Sequence, residues 1–276
     1  MSRTLVSRVT HRTLVALLVA AAPAIAPAQA TDANVVAGLQ LRMNVPARPD
    51  TIVYQRTVTK QGKDSSTGTR TVVVQGTQAR DGTPLLQVVQ RFPAGMGVIV
   101  DTAIADARSF RAVAHRSHQP FKTMRFTFSR DAAEGEVTTI EGPSGSSGAS
   151  GAPPESSDEA KVQPVSQPIG GPIFDSNVIE MVVAAMPLQR GFSTEAPFFI
   201  YERGGRIPMA VSVKDQTTVQ FAAVGPREVW VVSVAVPGAP ATVWVDTATH
   251  AVLRVRYDVA AAKMSFTDER ATPLSR

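Results

Sequence analysis

Hydrophobic and polar residues alternate along most of this chain, in short runs. A strand, with its two-residue side-chain period, sorts such runs into one apolar and one polar face. Residues 51–58 and 71–75 are rich in Val, Ile and Thr and are separated by Gly62 and Gly68, and residues 84–92 follow an Asp81-Gly82 turn signal. β-branched runs broken by Gly or Asp at such intervals predict successive antiparallel hairpins. In residues 121–130, Met124, Phe126 and Phe128 fall on one face and Thr123, Arg125 and Thr127 on the other. Trp230, Val232, Val234 and Val236 likewise share a face. Residues 241–246 are predicted to pair with residues 251–258 across the turn Asp246-Thr-Ala-Thr-His250. In that returning strand Leu253, Val255 and Tyr257 alternate with Arg254 and Arg256.

One segment keeps a different period. Val178, Ile179, Val182, Val183 and Met186 recur at helical spacing, Asp175 and Ser176 are candidate N-caps, and Pro187 stops the helix. Residues 143–170 lie before it. From Pro143 to Pro154 no side chain is larger than Pro, and no aromatic residue occurs before Gly170. Such a composition buries too little apolar area to offset ordering entropy, which predicts a flexible linker. Residues 31–49 read as a short amphipathic turn or an extended lead-in, and no repeat of fixed period is visible. The expected fold class is mainly β: a curved antiparallel sheet, half-barrel-like, with one helix against it and a flexible internal linker. Residues 31–142 form one half of that β domain and residues 171–276 the helix and the other half. Two separate domains are the competing arrangement.

The first thirty residues follow another pattern. Arg3, Arg8 and Arg12 precede an uncharged apolar run from Leu14 to Ala22, and Ala28-Gln29-Ala30 places small residues where a signal peptidase requires them. A membrane span needs about 20 apolar residues, and Pro23 and Pro27 interrupt this run. The segment reads as a cleavable signal peptide with cleavage after Ala30, and the mature protein as periplasmic or extracellular and not membrane-spanning.

Composition narrows the field further. Among 276 residues there is no Cys, which excludes a disulfide framework, a thiolate zinc site, a Cys nucleophile and an acylated N-terminal Cys. Hydrophobic residues make up 43%, enough for a packed core. The net charge of +5 includes the three arginines of the leader; without them 25 basic residues face 23 acidic ones. A surplus that small gives little drive toward nucleic acid.

Three segments stand out together. The first runs from Asp101 through Asp106 to His115. The second is Met186-Pro-Leu-Gln-Arg-Gly191. The third is Val229-Trp-Val-Val-Ser-Val234, leading to Ala241-Thr-Val-Trp-Val-Asp246 and Val252-Leu-Arg-Val-Arg256. In this order they resemble a bacterial exported family of unknown function whose sheet is similar to the outer-membrane lipoprotein carrier fold, with Met186 where the family pattern has Leu. The resemblance covers residues 51–268. It implies a concave antiparallel sheet with a helix against it, and no reaction.

Candidate chemistry is sparse. His115 and His118 are the only close histidine pair after the leader. At that spacing a helix would hold a metal, but a strand points the two rings to opposite faces; exposed strand-end histidines are the expectation, with no metal. His250 reads as part of its turn. The serines beside Gly145 and Gly148 do not complete G-x-S-x-G. Asp101 and Asp106, five apart, read as strand-end and turn residues rather than paired catalytic carboxylates. A P-loop, an H-E-x-x-H and a dinucleotide fingerprint are absent from the sequence. Neither catalytic residues nor a cofactor are assigned, and the protein reads as a non-enzyme. Met124, Phe126, Phe128, Trp230 and Val232 remain. They are either the core beneath the sheet or an uncovered concave face that binds an apolar ligand such as a lipid or acyl chain. The leading reading is a binding or carrier module for such a ligand. A structural domain that pairs with an envelope protein through a sheet edge is the alternative, and a hydrolase without a recognisable site is the third.

Overall fold

A computed structural model describes residues 35–36, 39–42, 48–94, 97–140, 160–201 and 205–274. The leader at residues 1–30 and the linker's first part, up to residue 159, lie outside them. All described residues belong to the compact unit Ala33–Arg276.

Two short strands, β1 (Val35–Val36) and β2 (Leu39–Gln40), pair with each other. The chain then runs through β3 (Asp50–Lys60), β4 (Lys63–Gln78), β5 (Pro84–Ala94), β6 (Gly97–Asp106), β7 (Ala112–Gln119), β8 (Lys122–Phe128), β9 (Ala132–Ile140) and β10 (Ala160–Pro168). After β11 (Phe174–Asp175) and helix α1 (Ile179–Ala185) it continues as β12 (Ser193–Ile200), β13 (Gly205–Phe221), β14 (Gly225–Val234), β15 (Ala241–Asp246), β16 (Val252–Val259) and β17 (Met264–Arg270). Strands β3 to β17 form one curved sheet in the order β10-β9-β8-β7-β6-β5-β4-β3-β17-β16-β15-β14-β13-β12-β11. Its pairs are antiparallel except β11 with β12. The expected mainly β fold, a curved sheet with a helix against it, is therefore observed.

A meander of eight strands, β3–β10, and one of six, β12–β17, lie side by side in this sheet and meet at the β3–β17 pair, where Tyr54 faces Arg270. They share a hairpin. In β6–β7, Asp106 Oδ1 accepts hydrogen bonds from Arg108 N, Ser109 N and Ser109 Oγ. In β15–β16, Asp246 Oδ1 accepts from Ala248 N, Thr249 N and Thr249 Oγ1. The next residue is left-handed in both, Phe110 at φ 58° and His250 at φ 57°. The register shifts at the same point, after Ile104 and after Trp244. A strand-end Asp followed three residues later by Ser or Thr satisfies the turn's own N–H groups, so the geometry recurs wherever that pattern recurs.

The linker expectation needs correction at its second end. All nine residues of β10 pair with β9. An edge strand is held by main-chain pairing, which requires little apolar side-chain mass, and Val165 adds contact with the Phe126 cluster. Beyond β10 the chain crosses toward the other end of the sheet. Ala112 N donates to Ile173 O, and Arg206 Nη1 donates to Ile169 O.

The helix starts where its sequence signal lies. Asp175 Oδ1 accepts from Asn177 N and caps a 3-10 turn, Ser176–Val178, that feeds α1. Val182, Val183 and Met186 are fully buried against the sheet. Burying each side chain of this size is worth about 1.5–3 kcal/mol, so tertiary packing holds a helix too short to persist alone.

Candidate functional site

The sheet's inner face is set by alternation and register. Arg70, Val72 and Val74 on β4 are buried, as are Tyr54 on β3, and Leu86, Val88 and Gln90 on β5. Charged residues therefore stand among apolar ones on one face. Helix α1 brings Glu180 against them. Arg70 donates to Glu180 through Nη1 at 2.7 Å and Nη2 at 2.9 Å, a bidentate pair. Arg70 Nη1 also donates to Asp268 at 3.1 Å, and Arg56 donates twice to Asp268, at 2.7 Å each. Tyr257 OH donates to Glu180 at 3.1 Å. Gln90 accepts from Arg70 and donates to Asn177 O. Two guanidinium groups thus face two carboxylates almost without solvent, which offsets the cost of removing each from water. Burial first, then the Glu180 charge, hold the hydroxyls of Tyr54 and Tyr257 well above the usual tyrosine range. Burial by itself would lower the Arg70 pKa; Glu180 outweighs it and the net direction is upward.

Beside this network lies a cavity of about 250 Å³. Ile52, Val72, Val74, Val88, Phe110 and Met181 give it apolar walls, and Arg42, Asp50, Tyr54, His250 and Arg270 contribute polar groups. Both hairpin turns reach it, one through Phe110 and the other through Thr249 and His250. His250 Nδ1 lies 3.1 Å from Ala184 O, so this turn is tied to the end of α1. Two smaller spaces, of about 180 and 100 Å³, flank the start of the helix, and Asp101 lines both.

The sequence-derived site residues fall elsewhere. Met124, Phe126 and Phe128 are 5%, 2% and 8% exposed and pack with Ile169, Ile173 and Phe199. The Phe126 ring centroid is 5.5 Å from Phe199 and 5.2 Å from Tyr201. Val232 is fully buried in a second, larger cluster, with Trp230 packed against it. Four of the five are buried and Trp230 is half-buried; none lines the 250 Å³ cavity, while Met124 borders the 100 Å³ space and Phe126 a space of about 480 Å³ beside β7 to β10. The curl of the sheet lays the segment after β10, together with Phe199, over β8.

His115 and His118 point to opposite faces as their spacing predicts, but His115 is not an exposed strand-end residue. It is buried, with Nδ1 2.9 Å from Asp175 Oδ2, and ties β7 to the segment before the helix. Asp106 shapes its turn as expected, whereas Asp101 is buried on the inner face. Among the described residues no group of three or more His, Asp or Glu has a metal-holding arrangement, and no helix is long and apolar enough to cross a membrane. Sequence reasoning missed Arg70, Glu180 and Arg270. A usable signal existed for two of them: Arg70 shares its strand face with Val72 and Val74, and Glu180 interrupts the apolar helix.

Fold and cavity together define a class: a mainly β protein whose curved sheet holds one short helix beside an open, mostly apolar pocket. The chain belongs to the DUF3108 family, proteins of unknown function, whose model matches residues 53–267. No curated protein matches it. A similar solved structure is the crystal structure of a beta-barrel-like protein of domain of unknown function DUF1849 from Brucella abortus. It is 11% identical, with 83% of this chain and 97% of that chain covered and a TM-score of 0.44.

Proposed function

We propose that this is a non-catalytic exported protein, a periplasmic binding or carrier module for an apolar, lipid-like ligand. The observation that carries the reading is the cavity between α1 and strands β3–β5, whose apolar walls are built from both the helix and the sheet. Concave, mostly apolar spaces with a few placed polar groups are the usual form of small-molecule sites, at about 300–1,000 Å³. At about 250 Å³ this one suits a single aliphatic chain rather than a whole diacyl lipid. The leader at residues 1–30, with cleavage after Ala30, supplies the compartment in this reading.

Titration of the purified protein with a fluorescent fatty-acid analogue tests it. Met181 is half-buried at the cavity wall, so Met181→Trp should fill the space, keep the circular dichroism of the wild type and abolish binding. No binding by the wild type overturns the reading. One observation favours a second reading, an envelope interaction domain. The sheet ends at β10, where Val162 is 56% exposed, and Phe121 and Ile140 are exposed nearby, joined by the bond from Ile140 N to Phe121 O. A bare protein in native mass spectrometry after purification from a bacterial envelope favours this second reading; a co-purifying lipid favours the first.

A further inference from the structure

We propose that the cavity takes a carboxylate-headed aliphatic ligand, with the Arg270 guanidinium as its counter-ion. This rests on reading the cavity as an apolar ligand site.

Arg270 is the last residue of β17 and is 5% exposed. Its Nε donates to Thr272 O at 3.1 Å and its Nη2 to Pro273 O at 3.2 Å. These acceptors are neutral, Nη1 donates to no described residue, and no carboxylate among the described residues forms an ion pair with Arg270. Arg70, by contrast, is saturated by Glu180, Asp268 and Gln90. A buried cation that no described carboxylate pairs is costly to hold, and here it borders a space large enough to admit one.

Charge balance sets the valence. Among the groups that line the cavity itself, Arg42, Arg70 and Arg270 face Asp50 and Glu180. One positive charge remains, which a monoanion neutralises. A phosphate monoester brings more charge than that, and a phosphodiester lipid brings more volume than the space holds. A carboxylate fits both limits, and its two oxygens match the guanidinium fork.

Register gives the tail its course. Arg270 pairs with Tyr54, Ile52 pairs with Val72, and Val74 pairs with Val88. From β17 across β3 and β4 to β5 is three inter-strand spacings, roughly 14 Å. An apolar stripe therefore runs from the guanidinium toward Phe110, long enough for a medium-length aliphatic chain.

Calorimetric titration of the full chain with decanoate and with decanol at pH 7 tests the head group separately from the tail. Decanoate should bind at least about tenfold more tightly, and in Arg270→Gln that preference should vanish, the variant binding decanoate no more tightly than it binds decanol. Equal binding of both by the wild type overturns the carboxylate proposal and leaves the apolar cavity standing. Binding of neither overturns both. A decanoate preference that survives Arg270→Gln removes Arg270 from the role. Should that variant not fold, the wild type decides alone: its preference must vanish as the pH falls below the ordinary carboxylate range, near 4, and persistence of the preference there counts against the proposal.

Discussion

The sixth strands of the two meanders are a matched pair with opposite contents. β8 and β17 each have seven residues. Positions three, five and seven are Met124, Phe126 and Phe128 in β8, but Phe266, Asp268 and Arg270 in β17. The first set is sealed by Phe199, Ile169 and Ile173. The second joins an ionic network and borders a cavity. The hairpins β6–β7 and β15–β16 repeat the contrast, with the same turn bonds but Phe110 in the core and His250 half-buried against α1. The frame is fixed by main-chain pairing and by the Asp-x-x-Ser/Thr turns. What each meander encloses is set separately, by the side chains placed on that frame.

The largest effect should come from imposing one content on the other. Phe126→Glu removes a core ring, a loss of about 3–5 kcal/mol, and buries an unpaired charge besides. That approaches the whole stability of a domain, about 5–15 kcal/mol, so circular dichroism should show an unfolded chain. A folded variant would mean that the β8 side is as tolerant of charge as the β17 side, and the contrast would fail.

Next in size is Asp268→Ala. It takes from Arg56 the carboxylate that accepts both its bonds and leaves Arg70 with Glu180 as its one carboxylate, beside Gln90. Breaking a buried pair from one side costs about 3–5 kcal/mol, to be read as a lowered denaturant midpoint. A loss under about 1 kcal/mol, typical of exposed pairs, would show that water screens the network.

Asp106→Ala and Asp246→Ala should each cost about 1–3 kcal/mol, because each strands the same turn donors. Asp246 is 2% exposed and Asp106 is half-buried, so Asp246→Ala should be the larger. An Asp106→Ala variant with no loss would break the equivalence of the turns. The smallest effect belongs to His250→Gly. Glycine relieves a left-handed backbone cost of roughly 1–2 kcal/mol while the bond to Ala184 O, worth about 0.5–1.5 kcal/mol, is lost. Thermal melting should move little. Phe110→Gly gains the same relief but loses a buried ring, so it should melt lower, and a pair of equal shifts would contradict the difference between the two positions.

Local signals carried much of the fold. Alternation located the strands around Met124–Phe128 and Trp230–Val234, capping located the helix start, and the Asp246 turn was readable from its residues. Three things were not local. The strand status of β10 depends on the edge of β9, not on its own composition. Whether Phe126 faces solvent or core depends on how far the sheet curls, which no single strand encodes. The site depends on pairings such as Arg70 with Glu180, 110 positions apart, and Arg56 with Asp268, 212 apart. Each residue alone looks like a solvated charge; only the register and the helix position make it a buried partner.

The β3–β17 seam also orders events in time. Its strands are the first of one meander and the last of the other, so a chain that emerges N-terminus first presents β3 some 200 residues before β17. The stretch between them sets an interval. Through it, the β3 edge is an open template for pairing, and Arg56 and Arg70 lack Asp268. Unneutralised charge along that edge discourages association with a neighbouring nascent chain. When β17 arrives it closes the edge, neutralises the arginines and supplies Arg270 to the cavity in one step. A product that stops short of β17 lacks all three at once.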